Sequence, residues 1–154
     1  MDDYSLDNIH NRFMHLTNNS IQKHNKAKKD MLEDSMWEMD RFAKFVGEEK
    51  WKTIQEKIRN IVIWSIKSCE GHVTAKKGSC EMVGFDFMID DLLNPWLIEI
   101  NMSPSMDSST PVTSKLVKMV QHDTALLIAS NKTKKKVGNY TLIYEGDKDL
   151  ANFS

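Results

Sequence analysis

Between Cys80 and Ser105 the chain reads CEMVGFDFMIDDLLNPWLIEINMSPS, two alternating apolar runs on either side of a polar turn. A period of two commits a stretch to half-buried strands, and two such runs joined by a short polar turn commit it to a β-hairpin. Along the first run Val83, Phe85, Phe87 and Ile89 share one face, while Met82, Gly84, Asp86, Met88 and Asp90 share the other. Along the second, Trp96, Ile98 and Ile100 are expected to face the core, with Leu97, Glu99 and Asn101 opposite. Pro95 fits because it opens the strand and removes no interior ladder hydrogen bond. The turn is Asp91-Leu92-Leu93-Asn94.

Pairing Asp90 with Pro95 closes a loop of common hairpin length and sets a register. In that register Asp86 lies directly across from Glu99, and Gly84 across from Asn101. Two carboxylates directly opposite on a sheet repel, and a divalent cation between them removes the conflict. Two carboxylates and an amide oxygen are hard ligands of the kind magnesium takes, with phosphate and water oxygens completing the octahedron. Gly84 leaves room beside Asn101. An acidic, solvated outer face would display the same three residues, and spacing alone does not separate the two readings.

The remaining sequence limits what such a hairpin can belong to. With 154 residues, 40% of them hydrophobic and 28% charged, the chain has the length and composition of one globular domain. Its formal net charge of −1 argues against bulk electrostatic attraction to nucleic acid or membrane, leaving only local clusters. Lys23 to Lys29 and Lys132 to Lys136 are two such basic runs, each also compatible with a solvated face or tail. The two cysteines, Cys69 and Cys80, form no CxxC pair and follow no secretory leader, so neither a disulfide framework nor a zinc site is expected, and a reducing cytoplasmic compartment is. No apolar run approaches the roughly 18 residues that span a bilayer.

In chain order, residues 1–11 carry no period and predict a loop, followed by the mixed run Arg12 to Leu16. Thr17-Asn18-Asn19-Ser20 is a polar cluster of the type that forms turns and helix caps. Ser35 is placed to cap a helix carrying Trp37, Phe42, Phe45 and Val46, with Gly47 as its stop. From Lys50, Trp51, Ile54, Ile58, Ile61, Val62, Ser65 and Ile66 recur at spacings of three and four, which predicts an amphipathic helix ended by Gly71. Past the hairpin, Ser108 to Pro111 leads into a helix bearing Val112, Leu116, Met119, Val120, Leu126, Leu127 and Ile128. Gly138-Asn139 breaks the pattern, and Tyr140 to Tyr144 offers one short strand. The expected architecture is α+β, an antiparallel hairpin or sheet covered by helices.

Three blocks now carry a family resemblance: HLTNNSIQKH at His15 to His24, GFDFMIDDLLNPWLIEIN at Gly84 to Asn101, and SPS at Ser103 to Ser105. In this order they resemble the C-terminal half of a tubulin tyrosine ligase-like catalytic domain, an ATP-grasp fold, with a likeness running from about Leu6 to Ala129. The resemblance assigns residues 1–131 to that domain and 132–154 to a basic, loosely structured tail. It implies that Asp86, Glu99 and Asn101 hold the magnesium that accompanies ATP. It further implies that Thr17 and Asn18 lie at the nucleotide, that Ser20 touches the incoming amino acid, and that Lys115 sits near that amino acid's carboxylate. No catalytic residue separate from the metal ligands is implied.

Asn19, Ser35-Met36-Trp37, Trp51-Lys52-Thr53-Ile54 and IEINMSPSM followed by STPVT resemble the glycine-adding branch. That implies an ATP-dependent ligase joining glycine to the γ-carboxylate of glutamates in acidic tubulin tails through an acyl phosphate. Cytoplasm, cytoskeleton and the axoneme of a cilium are the implied setting, and neither nucleic acid nor membrane is an expected partner. Glutamate or tyrosine addition, and a non-catalytic microtubule-binding module, are the alternatives. The family's phosphate-holding lysines and adenine-covering loop precede HLTN, so the chain is expected to be a fragment of the complete clamp.

Overall fold

The computed structural model describes residues 5–22, 24–25, 36–73, 79–108, 110–130 and 135–146. The chain divides into two units, Met1–Arg41 and Phe42–Ser154.

In the first unit short polar caps do most of the organising. The Ser5 hydroxyl accepts from the Asp7 N–H at 3.2 Å and opens a 3₁₀ turn over Leu6–Asn8, where the sequence predicts only loop. Asn11 caps helix α1, Arg12–His15, by accepting from the Phe13 N–H at 3.2 Å. Helix α2, Asn19–Gln22, follows directly, and the Gln22 side-chain amide donates to the Phe13 carbonyl at 3.0 Å, folding α2 back on α1. The Arg41 guanidinium lies 4.3 Å from the centroid of the Trp37 ring, a cation–π contact. Trp37 itself precedes helix α3, Met39–Val46, and is not inside it as the spacing predicts. The proposed cap Ser35 and most of the Lys23 to Lys29 run lie outside the described residues.

In the second unit, the end of α3 meets helix α4, Glu48–Cys69, across Gly47, whose φ of 93° breaks the helical path. Phe42 and Trp51 pack edge to face across this corner, ring centroids 5.6 Å apart. Most of the predicted stripe packs inward: Ile54 is 1% exposed, and Trp51, Ile58, Ile61, Val62 and Ser65 are half-buried, whereas Ile66 is exposed. Phe45 is not on the buried side; it is 73% exposed, and Ala43 is the α3 residue that packs inward. Helix α4 continues past Cys69 as a 3₁₀ turn over Glu70–His72, so Gly71 lies within that turn and does not terminate the helix.

Strands β1, Gly84–Ile89, and β2, Pro95–Asn101, form the expected antiparallel hairpin. Asp86 pairs with Glu99 and Gly84 with Asn101, as predicted, but Ile89 rather than Asp90 pairs with Pro95. The loop is therefore five residues, Asp90 to Asn94, and the register is restored by a bulge that leaves Ile98 unpaired between Leu97 and Glu99. A bulge exchanges the two faces of a strand, which corrects the facing of β2. Leu97 pairs with Phe87 and Ile100 with Phe85 on the core side, whereas Trp96 pairs with Met88 on the carboxylate side. Trp96 and Ile98 are accordingly 61% and 59% exposed, not core residues, and Ile100, although on the core side, is itself 42% exposed.

Helix α5, Pro111–Ala129, starts at a reciprocal cap in which the Thr110 and Thr113 hydroxyls each accept the other residue's backbone N–H, at 3.1 and 2.8 Å. The short strand expected near Tyr140 is found as β4, Tyr140–Thr141, paired with β3, Lys136–Val137, around the turn Gly138-Asn139. Helices on a hairpin make the α+β class plain. No described helix is long and apolar enough to cross a membrane.

Candidate functional site

The β1–β2 ladder stacks three cross-strand pairs on its outer face: Gly84 with Asn101, Asp86 with Glu99, and Met88 with Trp96. Directly paired residues point to the same side of a sheet, so the two carboxylates and the amide meet without help from any loop. The Asn101 amide nitrogen donates to Asp86 Oδ2 at 3.1 Å and to Glu99 Oε1 at 3.2 Å. Its N–H dipoles thus do for the carboxylates what a cation would do more strongly. An amide turned over about its last torsion presents oxygen instead of nitrogen at nearly unchanged shape. The same three side chains can therefore switch from a self-neutralised cluster to two anionic ligands and one neutral oxygen ligand.

The donor set fits magnesium. With the Asn101 amide turned over it is all oxygen, it carries two charges, and it lies on an exposed sheet face that leaves positions for water and phosphate oxygens. Among the described residues no three His, Cys, Asp or Glu side chains group as a metal site, so the amide is an essential third ligand in this reading. Gly84 has a further reason for lacking a side chain. A Cβ there would come within 3.2 Å of the Pro104 Cβ and 3.7 Å of the Asn101 Cβ, so its absence lets the turn after β2 fold back over the site.

The loop beside the site is held by Asp90. Its carboxylate accepts from the Asn94 N–H at 2.7 Å, the Asn94 amide at 3.2 Å and the Trp96 indole N–H at 3.0 Å. The Trp96 indole and then the Asn94 backbone N–H hold the Asp90 carboxyl below its ordinary value. Lys57 on α4 donates to the Asn94 side-chain oxygen at 2.7 Å, which ties the loop to the long helix. Leu93 completes the loop at φ 61°, a left-handed conformation that a leucine side chain does not announce.

Trp96 and Met88, 61% and 52% exposed, make an apolar shelf next to the carboxylate pair. Sequence reading placed Met88 on this face but missed Trp96, because a bulge reverses strand parity without any residue type marking it.

The remaining predicted residues sit elsewhere. Thr17 and Asn18 belong to the first unit and are exposed between α1 and α2, where the Asn18 carbonyl accepts from the Ile21 and Gln22 N–H groups at 3.0 Å each. Asn18 thus occupies the cap position of α2, the structural role anticipated for this polar cluster. Ser20 lies within α2, and its side chain is outside the described set. Lys115 is exposed in the early part of α5.

Comparison with known proteins matches residues 1–136 to the tubulin-tyrosine ligase family. Tubulin glycylase 3B of Tetrahymena thermophila is 43% identical over an alignment covering 97% of this chain and 14% of that protein. Tubulin monoglycylase TTLL3 of Homo sapiens is 37% identical over 92% of the chain and 20% of its own length, and protein monoglycylase TTLL8 of Mus musculus is 35% identical over 92% and 18%. The chain thus spans about a fifth or less of the relatives it matches. With 136 of its 154 residues matched, this chain belongs to the tubulin-tyrosine ligase family.

Proposed function

We propose that this chain is part of an ATP-dependent ligase that adds glycine to glutamate side chains in tubulin tails. The carrying observation is the pairing of Asp86 with Glu99, closed by Asn101, in a family member whose relatives bear the names tubulin glycylase and monoglycylase.

The chemistry runs in two balanced steps. A γ-carboxylate oxygen of the tubulin glutamate attacks the γ-phosphorus of ATP, giving an acyl phosphate and ADP. The glycine amine then attacks the acyl carbon, phosphate departs, the amine gives up a proton and an isopeptide bond remains. Neither step needs a covalent bond to the protein, so the work of the side chains is positioning and charge compensation. Magnesium bound by Asp86, Glu99 and the Asn101 oxygen would supply Lewis-acid neutralisation of the ATP phosphates. Asp86 and Glu99 project from a rigid ladder, and Asp90 and Lys57 immobilise the adjoining loop, so the ligand oxygens are held before substrate arrives.

Thr17 and Asn18 contribute contacts to the nucleotide in this reading, and Ser20 and Lys115 fix the amine and carboxylate of glycine. Glycine has no side chain to recognise, so selectivity arises from excluding larger amino acids. The acidic tails give the basic runs Lys23 to Lys29 and Lys132 to Lys136 a use in steering. Microtubules of the cytoskeleton, the ciliary axoneme among them, are the setting this substrate defines.

The test is an amino-acid panel. An enzyme containing this sequence, given tubulin, magnesium-ATP and one amino acid at a time, should add the mass of glycine residues and leave tubulin unchanged with glutamate or tyrosine. Addition of either of those two in preference to glycine would reassign the branch.

A further inference from the structure

Residues 135–146 run past the family-matched stretch, yet they are fastened to both long helices of the second unit. On α5, Asp123 is 5% exposed, and its Oδ2 accepts from the Asn139 N–H and the Asn139 side-chain amide, both at 2.8 Å. Its other oxygen lies 3.1 Å from His122 Nδ1. Gly138 crosses directly over this carboxylate: at φ 56° a Cβ would fall 2.3 Å from Asp123 Oδ1. One residue further along α5, the Thr124 hydroxyl meets the Tyr140 hydroxyl at 2.9 Å. At the end of α4, Glu70 Oε2 accepts from the Tyr144 hydroxyl at 2.7 Å, and Lys67 lies 5.3 Å from the centroid of the Tyr144 ring. Gly146 also lies against a carboxylate, since a Cβ there would fall 2.3 Å from Glu70 Oε1, though the longer Glu70 side chain can give way where Asp123 cannot.

Between these anchors lies an apolar cavity of about 910 Å³. Its walls include Ile66 of α4, Val120 of α5 and Tyr140 of β4, together with Phe85 and Ile100. Those last two form the ladder pair next to Asp86 and Glu99, on the opposite face of the hairpin. The cavity is therefore the back of the candidate metal site.

We infer that residues 135–146 are a strap that spans α5 and α4, lends Tyr140 to one side of the apolar cavity behind the β1–β2 hairpin, and is latched at two carboxylates, Asp123 and Glu70. The folded domain accordingly continues beyond the family-matched residues to Gly146. Each latch receives a side-chain hydrogen bond from the strap, and at Asp123 the left-handed Gly138 also lets the strap backbone lie against the carboxylate. Opening the strap removes Tyr140 from the cavity wall.

Hydrogen exchange of the intact 154-residue chain at neutral pH tests this. The Asn139 N–H, bonded to Asp123, and the Leu142 N–H, bonded to the Lys135 carbonyl at 2.8 Å, should exchange at least about tenfold more slowly than in an unstructured peptide. Asp123→Asn should speed both by about tenfold while amides around Ile54 in α4 keep their protection. Should Asp123→Asn lose protection everywhere, Tyr144→Phe decides, because it removes the hydroxyl that donates to Glu70 and should speed exchange at Leu142 with α4 unaffected. Unprotected Asn139 and Leu142 amides in the wild type would overturn the strap. Unchanged exchange in Asp123→Asn and Tyr144→Phe would overturn the latches.

Discussion

Asn101 is the residue on which the candidate site turns. Its N–H groups bridge two carboxylates that would otherwise face each other unshielded across the ladder. Asn101→Asp removes those donors and adds a third negative charge, so the metal-free chain should melt at a lower temperature than wild type. A saturating divalent cation should then raise the melting temperature of the variant by more than it raises that of the wild type. Equal shifts would mean that the three side chains do not share a cation. Glu99→Gln changes one ligand charge at nearly constant shape. It should abolish ATP-dependent glycine incorporation by an enzyme containing this sequence while its melting temperature stays within a few degrees of wild type. Retained incorporation would contradict the ligand assignment.

At the scale of elements, the long amphipathic helix was the clearest feature of the sequence, because spacings of three and four over many residues leave few alternatives. Helix α4 buries Ile54 to 1% exposure, and Ile54→Ala should cost about 2–5 kcal/mol, read as a lower midpoint in urea. The hairpin and its Asp86–Glu99 register were also legible, through an instructive pair of offsetting errors. A four-residue loop with continuous strands and a five-residue loop with one bulged residue bring Asp86 and Glu99 to the same place. They differ in where Trp96 points, and nothing in Asp91 to Asn94 or at Ile98 marks the change. A bulge is a backbone event, and it accompanies a loop closed by hydrogen bonds that converge on Asp90 and Asn94. The latch at Asp123 was hidden for another reason, since the residues that meet it, Gly138 and Asn139, are distant in sequence and read alone only as a turn.

That latch has a defined pH dependence. The Asn139 backbone N–H, then its side-chain amide, then His122 hold the Asp123 carboxyl below its ordinary value. The fold therefore favours the ionised form, and the stabilisation is complete above the free-aspartate value of about 4 and lost as pH falls through the lower folded value. The stability difference between wild type and Asp123→Asn should be full at pH 7 and shrink in acid, which thermal melts across the range would follow. A difference that grows in acid would contradict this sign.

For the molecule as a whole, the sequence and the comparisons converge on a member of the tubulin-tyrosine ligase family, and the structure pairs Asp86 with Glu99 in its second unit. Family membership was legible because the HLTNNSIQKH and GFDFMIDDLLNPWLIEIN blocks occur in order over most of the chain. Individual roles for Thr17, Asn18, Ser20 and Lys115 were less so, because hydroxyls, amides and a lone lysine serve as caps and solvated groups in most chains.

If Asp86, Glu99 and Asn101 form a working magnesium-nucleotide site, the melting temperature of the 154-residue chain should depend on magnesium-ATP. At a concentration about 100 times the dissociation constant, binding to the native state should raise the midpoint by about 5–10 °C. Asp86→Asn should lose that rise while melting near the wild-type temperature without ligand. No rise in the wild type, or an equal rise in Asp86→Asn, would contradict the assignment.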